Sequence, residues 1–328
     1  MDELSESVET GPDGANPAGE LLDALESVVL GQPRMLRQLA VTVLSGGHAL
    51  IEGVPGTAKT LAVRALARAM ALRFTRVQFT PDLMPTDLLG VNVLDERRAD
   101  FVFRPGPLFT DLLLADEINR APAKTQAALL EAMQEGQVTV DGETRRLSEH
   151  FTVLATQNPV DFEGTYPLPE AQLDRFLLKV SVGYPDEAAE SEILDRYADG
   201  FDAGRTESFP LETVWTAESL SGLRERVRTT HVEPAVRRYI TRIVRATRAQ
   251  PAFSLGASPR AGVALFLAAR AEAVLEGRDF VTPDDVKTLA LPVLRHRVML
   301  TPEAEVEGRG ADAWIAAVLD SVEVPRHR

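Results

Sequence analysis

The chain has 328 residues, of which 45% are hydrophobic and 26% are charged, and its formal net charge is −14. This composition is typical of a globular protein of about two domains and argues against a disordered chain. The acidic excess makes nucleic acid a poor candidate for a partner, because phosphate backbones attract basic surfaces. Cysteine is absent from the sequence, which excludes disulfides and thiolate metal sites.

Residues 1–19 are rich in glycine, proline and acidic side chains, and they predict a flexible acidic tail. They contain neither the basic region nor the apolar stretch of a signal peptide. No apolar run elsewhere in the sequence approaches the ~20 residues that span a bilayer. We therefore expect a cytoplasmic protein without membrane insertion.

Hydrophobic periodicity predicts helices that alternate with strands up to about residue 185. The predicted helices are Glu20–Val29, Pro33–Leu44, Thr60–Ala71 and Lys124–Glu135. The predicted strands are His48–Ile51, Phe74–Phe79, Leu112–Ala115, Phe151–Thr156 and Leu177–Val182. Two hairpins are also predicted, one joining Val91–Val93 to Phe101–Phe103 and one at Val138–Leu147. Alternating strands and helices indicate an α/β domain in which helices cover both faces of a parallel sheet.

Beyond Pro185 the remaining periodic stretches all predict helices. They are Ala217–Thr229, Pro234–Arg248, Pro259–Glu276 and Pro283–Arg297. Ser258 and Thr282 each precede a proline, and a capping residue followed by proline is typical of a helix start. The sequence thus predicts an α/β domain at residues 20–185, a connecting helix or linker at 186–209 and a smaller all-α domain at 210–328.

A phosphate-binding loop is predicted where the first strand leads into a helix. The loop reads Gly53-Val54-Pro55-Gly56-Thr57-Ala58-Lys59-Thr60, and Leu61 continues the first helical turn. Its N–H groups would bind phosphates, Lys59 would reach the outer phosphates of ATP, and the Thr60 hydroxyl would bind Mg²⁺. Ala58 replaces the second glycine of the general motif, so a plain strand-to-helix turn with a solvated lysine stays open as an alternative at this point.

Two adjacent carboxylates, Asp116 and Glu117, follow the apolar run Leu112–Ala115. Neighbouring side chains at a strand end point in opposite directions, so the two acids can take different roles. Asp116 would bind Mg²⁺ directly or through water, and Glu117 would orient and deprotonate the water that attacks ATP. An ordinary acidic strand end is the alternative, but the phosphate loop upstream, in the expected element order, disfavours it.

Motifs along most of the chain resemble the AAA+ ATPases and, more narrowly, the MoxR family. The phosphate loop of that family reads G-x-P-G-x-A-K-T, which Gly53–Thr60 matches, Ala58 included. The other matching stretches are Leu30–Gln32, Gly46–His48, Phe103–Pro107, Asp116–Ala121, Ala155–Pro159, Leu168–Phe176, Ser258–Arg260, Arg295–Arg297 and Ala304–Gly308. The resemblance spans about Glu20 to Pro325.

The resemblance implies roles for several residues outside the phosphate loop. Gly31 and Gln32 would pack near the adenine. Asn158 would be the sensor that positions the attacking water together with Glu117, and a plain turn initiated by Asn158-Pro159 stays open as the alternative. Arg175 would be an arginine finger that reaches ATP bound by a neighbouring subunit, a contribution of ~10³–10⁵ in rate.

Arg260 lies in the predicted first turn of a helix, where the macrodipole disfavours a cation. The resemblance explains it as a second sensor, through which the lid reads the γ-phosphate. Arg120 would make a further contact between subunits. Because 31 of the 35 basic residues are arginines, an ordinary surface arginine stays open as the alternative for each of these positions.

The function implied is Mg²⁺-dependent ATP hydrolysis by a ring of identical subunits, usually a hexamer, in which hydrolysis moves the lid against the core. Members of the family are thought to mature partner proteins, often ones with von Willebrand factor A domains. The two hairpins resemble inserts that line the pore of such rings. Two alternatives remain, namely a nucleic-acid-stimulated motor of the branch-migration or loader type, and a nucleotide-gated scaffold with little turnover.

Overall fold

The computed structural model describes residues 17–95, 100–158, 164–205, 209 and 211–325. Most of the predicted acidic tail, the charged tip of the first hairpin at 96–99, Pro159 and residues 206–208 of the predicted connecting segment lie outside these ranges. None of the described helices combines the length and the apolarity that a bilayer crossing requires.

The strands in chain order are β1 (Ala49–Gly53), β2 (Phe74–Gln78), β3 (Gly90–Asp95), β4 (Asp100–Pro105), β5 (Leu112–Asp116), β6 (Gln137–Val140), β7 (Glu143–Arg146), β8 (Thr152–Gln157), β9 (Leu178–Val182), β10 (Phe253–Leu255) and β11 (Met299–Leu300). The helices are α1 (Pro17–Glu26), α2 (Pro33–Leu44), α3 (Lys59–Ala69), α4 (Pro85–Leu89), α5 (Ala123–Glu135), α6 (Glu170–Leu173), α7 (Glu187–Ala198), α8 (Ala217–Thr229), α9 (Pro234–Ala249), α10 (Pro259–Leu275), α11 (Pro283–Leu294), α12 (Pro302–Val306) and α13 (Ala311–Ser321).

Five parallel strands form the central sheet, in the order β2-β5-β8-β1-β9. In this register Leu50 of β1 lies opposite Ala155 of β8 and Lys179 of β9. The inner strands are buried along nearly their whole length, because helices cover both faces of the sheet. The predicted fold class, an α/β sheet followed by an all-α region, is confirmed.

Alternate residues of each inner strand face two different cores. Leu112 and Leu114 of β5 join the core that contains α2 and α3, whereas Leu113 and Ala115 join the core that contains α5. Both predicted hairpins are present, as β3–β4 and β6–β7, and each pairs antiparallel outside the central sheet.

The helical region after residue 210 shares one continuous hydrophobic core with a face of the sheet. The backbone N–H groups of Val214 and Trp215 donate to the carbonyl of Ala69 at the end of α3, at 2.7 and 2.9 Å. Arg224 of α8 donates to the carbonyl of Val43 in α2 at 2.8 Å. The domain limits inferred from the sequence stay a prediction, since packing is continuous across the boundary between the two parts.

Two details of the helices differ from the sequence predictions. Ser258 precedes α10 but its side chain does not cap the helix, and its hydroxyl is buried without a partner among the described residues. Thr282 does cap α11, in a reciprocal box with Asp285. Helix α11 ends at Leu294 and not at Arg297, because the Arg297 guanidinium folds back to donate to carbonyls, including that of Val293 in the last turn.

Candidate active site

The phosphate loop lies between the end of β1 and the start of α3. Gly56 and Ala58 both have left-handed backbone conformations, with φ of 85° and 60°, which turns the chain sharply into the helix. No acidic side chain lies in the first turn of α3, so its free N–H groups and positive dipole end are available to an anion.

Lys59 is folded onto its own loop. Its Nζ donates to the carbonyls of Gly53 and Val54 at 2.7 and 2.6 Å. Partial burial lowers the pKa of Lys59, and the neighbouring carboxylates of Asp116 and Glu117 oppose that shift. The ammonium group is therefore held between the loop and the acid pair, where a phosphate would meet both.

Asp116 ends β5 as a buried carboxylate with two polar neighbours. Its Oδ1 accepts a hydrogen bond from Thr156 Oγ1 at 2.6 Å. Its Oδ2 accepts from Nη2 of Arg76, on the adjacent strand β2, at 2.6 Å. The carboxylate is thus fixed in orientation by strands on both sides of it.

Glu117 follows the strand and has a left-handed backbone conformation, with φ 55° and ψ 52°. Its Oε2 accepts a hydrogen bond from Gln78 Nε2 at 2.8 Å and forms an ion pair with Arg120 at 3.0 Å. The expectation that Asp116 and Glu117 point in opposite directions along a strand is wrong, because the strand ends between them and both line one cavity. A bulky residue in this strained conformation is typical of a functional site.

One cavity of about 460 Å³ brings the phosphate loop and the acid pair together. Residues 55–61 form one wall, and the other side includes Asp116, Glu117, Thr156, Gln157 and Asn158. Its size falls in the range of small-molecule and cofactor sites. The four side chains on which the ATPase prediction depends, Lys59, Thr60, Asp116 and Glu117, therefore share a single binding space.

The remaining wall of the cavity is formed by side chains that the sequence reasoning missed. They are Val28 and Leu30 before α2, Ile193, Arg196 and Tyr197 on α7, and Phe201 and Ala203 after it. They supply apolar and aromatic surface of the kind that a purine ring packs against. The apolar spacing of Ile193 and Tyr197, in the predicted connecting segment, is the sequence signal that could have identified this wall.

Gly31 and Gln32 lie behind this wall and are not among the residues that line it. Gly31 has φ +69°, and a Cβ built there would lie 2.8 Å from Ala189 Cβ on α7. Gln32 Nε2 donates to the carbonyl of Gly183 at 2.9 Å. These two residues hold α7 against the start of α2, and Val28 and Leu30 next to them line the cavity, so their packing near the adenine stays a prediction.

Arg175 and Arg260 lie together at the opposite edge of the sheet from the phosphate loop. Both line a second cavity of about 260 Å³, with Gly46, Gly47 and His48, which precede β1. Because β1 has five residues, the two sites are separated by roughly 16 Å of strand. The expectation that Arg260 reads the γ-phosphate is not met within the chain, since α10 begins beside Asp174 and not beside the loop.

Asp174 organises this arginine cluster. Its carboxylate pairs with Arg297 at 2.7 Å and with Arg260 at 3.7 Å. The buried Arg297 guanidinium also donates to the carbonyls of Phe176 and Leu177 at 2.6 and 3.0 Å. Arg297 therefore fixes the turn that presents Arg175, a positioning role that the sequence analysis did not identify.

Comparison with known proteins agrees with this geometry. Residues 48–178 match the model of an ATPase family associated with various cellular activities (AAA), and residues 245–317 match the model of the AAA lid domain. A candidate ATPase structure from Cytophaga hutchinsonii superposes with a TM-score of 0.86 at 40% identity, covering 95% of this chain and 96% of that one.

Two curated relatives extend over nearly the whole chain. The uncharacterized protein YeaC of Bacillus subtilis is 45% identical over 94% of this chain and 95% of its own length. The chaperone MoxR1 of Mycobacterium tuberculosis is 43% identical over 92% of this chain and 81% of its own length. Together with a phosphate loop and an acid pair that share one cavity, these similarities show that the chain belongs to the MoxR family of AAA+ ATPases.

Proposed function

We propose that this protein hydrolyses ATP with Mg²⁺ at the junctions of a ring of identical subunits and uses the cycle to remodel a partner protein. The observation that carries the proposal is the convergence of Lys59-Thr60 with Asp116-Glu117 on one cavity. A scaffold that only binds nucleotide has no need of Glu117 beside the phosphate loop, which favours hydrolysis over the gated-scaffold alternative.

The residues assigned to Mg²⁺, Thr60 and Asp116, fit that ion. A hydroxyl and a carboxylate offer the hard oxygen atoms that Mg²⁺ prefers, and phosphates and water complete its coordination. Asp116 already accepts hydrogen bonds from Thr156 and Arg76, which favours contact with the ion through water. The bound ion would neutralise charge on the phosphate oxygens as the terminal bond breaks.

In the proposed mechanism Glu117 orients the attacking water and accepts its proton, and Asn158 at the end of β8 shares in positioning that water. Glu117 first has to leave the hydrogen bond with Gln78 and the ion pair with Arg120. Lys59 transfers its donors from the loop carbonyls to the outer phosphates. Each residue then acts on the reacting γ-phosphate from within one subunit.

The position of Arg175 and Arg260 supports action on a neighbouring subunit. Roughly 16 Å of strand separates their cavity from the phosphate loop, which is more than an arginine side chain spans. A contact that joins one edge of a subunit to the other edge of the next is heterologous and closes into a ring when its rotation allows. We propose a hexamer, as the family resemblance implies.

The client contact is assigned to the β3–β4 hairpin. Phe101 and Leu94 on it are 67% and 52% exposed, and exposed apolar side chains of this kind are typical of protein-binding surfaces. The relative named as a chaperone supports a protein client, and we propose one with a von Willebrand factor A domain. Capture of such a protein by a Glu117→Gln variant in ATP would test the proposed class of client.

The Glu117→Gln substitution also tests the catalytic proposal. We expect the variant to bind ATP normally and to lose roughly 10²–10⁴ in turnover, because the carboxamide does not accept the proton of the attacking water. Glu131→Gln, on the exposed side of α5, is the matched control and should leave turnover unchanged. Phosphate release and nucleotide binding are measured in parallel. Normal hydrolysis by the Glu117 variant would show that the catalytic assignment is wrong.

A further inference from the structure

Helix α9 concentrates positive charge on the surface of an acidic protein. Its sixteen residues include five exposed arginines and no acidic residue, and the arginines are Arg237, Arg238, Arg242, Arg245 and Arg248. Within the described part of the chain, the first four of them form no ion pair. Unpaired like charges repel one another along a helix, and an acidic partner would relieve that repulsion.

Three of these arginines border an apolar groove between α9 and α10. The groove has a volume of about 540 Å³, and its lining includes Ile240, Val244, Val263 and Phe266 together with Arg237, Arg245 and Arg248. Val263 is 58% exposed. Apolar surface inside a charged rim is the usual anatomy of a protein interface. Arg238 and Arg242 line a different cavity on the other side of α9.

Helix α7 has the opposite charge, and within the residues that the structure describes no element covers its outer side. None of its residues is buried, and Leu194 is 71% exposed. Glu187 and Glu190 precede Leu194 at helical spacing, so the three share a face. A helix in a folded protein normally buries an apolar stripe. Helix α7 uses Ile193 to line the nucleotide cavity and leaves Leu194 uncovered.

We propose that the α9–α10 groove of one subunit receives the outer face of α7 from a second copy of this chain. Leu194 would enter the apolar floor, and Glu187 and Glu190 would pair with Arg237 and Arg245. This inference rests on the ring assembly proposed above and specifies the surfaces that form the junction.

The positions of the two surfaces support this pairing. Val263 lines both the groove and the cavity that contains Arg175 and Arg260, so the groove is continuous with the arginine cluster. Helix α7 forms a wall of the nucleotide cavity. A junction that brings Arg175 to a neighbour's nucleotide therefore brings α10 towards the neighbour's α7. Since α7 contacts nucleotide on one face and the next subunit on the other, bound nucleotide would strengthen assembly.

Cross-linking tests the contact directly, because the natural sequence has no cysteine. A Thr241→Cys, Leu194→Cys double variant places one thiol in the groove and one on α7. With a short bismaleimide, Mg²⁺ and a slowly hydrolysed ATP analogue, we expect a ladder of covalent oligomers. Neither single variant should form one, because the contact joins two different surfaces. An Arg242→Cys, Leu194→Cys pair, on the other side of α9, is the control and should form no ladder.

Sedimentation of the same samples separates the possible failures. Assembly without a ladder would overturn the α7–groove contact and leave the ring intact. If the protein stays monomeric with the analogue, both this contact and the proposed ring are wrong. A ladder that is as strong with the Arg242→Cys control as with Thr241→Cys would also overturn the specific contact.

Charge reversal provides an independent test. An Arg237→Glu, Arg245→Glu variant should raise the concentration needed for assembly by at least about tenfold, because it sets like charges against each other across the junction. Adding Glu187→Arg and Glu190→Arg should restore assembly, which a misfolded variant would not do. Unchanged assembly after the first reversal contradicts the proposal. If the first reversal instead abolishes a salt-sensitive binding of DNA and leaves assembly intact, the groove binds nucleic acid and the proposal is overturned.

An Arg238→Glu, Arg242→Glu variant carries the same change of charge on the other side of α9. We expect its assembly to match that of the parent within about twofold. An effect as large as that of the groove variant would mean that net charge, and not the groove, controls assembly, and the contact would be refuted.

Discussion

Mixing two inactive variants tests whether Arg175 acts on the next subunit. In the proposed ring, Arg175→Ala subunits would retain the nucleotide cavity, and Glu117→Gln subunits would retain the arginine. Because roughly 16 Å of strand separates Arg175 from its own phosphate loop, neither chain can complete a site alone. The loss of an arginine finger costs ~10³–10⁵ in rate, so each pure variant should be nearly inactive.

The activity of the mixture follows from counting junctions. A working junction needs an intact Glu117 from one subunit and an intact Arg175 from its neighbour. In an equal mixture with random order, about a quarter of junctions satisfy both conditions, so about a quarter of the parent rate should return. Phosphate release at fixed total protein should peak at equal proportions. Rates that stay at the weighted mean of the two pure variants at every ratio would refute the action of Arg175 in trans.

Three further outcomes are expected. Ala58→Gly should stabilise the protein by up to about 1 kcal/mol in urea unfolding, because Ala58 has φ 60°. Ala127→Gly, on an exposed turn of α5, should instead destabilise it by about 1 kcal/mol, and equal effects would contradict the strain argument. Gln78→Ala should raise basal hydrolysis about two- to tenfold, because it removes a hydrogen bond that holds Glu117 away from water; a slower variant would disprove that restraint. Burial lowers the pKa of His48 to about 4. The stability that the neutral His48 ring contributes is therefore complete above about pH 6.5, and roughly 2–4 kcal/mol of it is lost in all as the pH falls towards 4. His48→Asn should flatten the fall of urea midpoint with acid, and an unchanged slope would exclude His48 as a cause.

Local sequence patterns predicted the core of the fold well. The inner strands are almost wholly apolar because helices cover both faces of the sheet, and such runs stand out between turns. The hairpin at Val138–Leu147 could be predicted because its turn residues, Asp141 and Gly142, both take positive φ, which few residue types tolerate. The phosphate loop and the acid pair converge in the structure because both follow parallel strands, whose carboxyl ends meet at one edge of the sheet.

Side-chain positions that depend on tertiary contacts could not be predicted from the sequence. Gly31 and Gln32 matched a family motif, but the motif does not say which neighbours line the cavity and which support it. The pattern around Arg260 predicts a helix start but not what that helix packs against, so only the structure shows that Arg260 lies beside Arg175. Arg297 belonged to a matching stretch, yet its burial against the carbonyls of Phe176 and Leu177 depends on a contact across 120 residues of chain.

The hydrophobic core that runs without interruption from the sheet into the helical region limits how a subunit can move. Large hinge opening between the two parts would expose apolar side chains to water, at a cost of about 25 cal/mol for each Å² uncovered. In the proposed ring we therefore expect each protomer to rotate as a nearly rigid unit during the ATP cycle, in contrast to the movement of lid against core that the family resemblance implies. The work of hydrolysis would then be delivered at the contacts between protomers rather than within them.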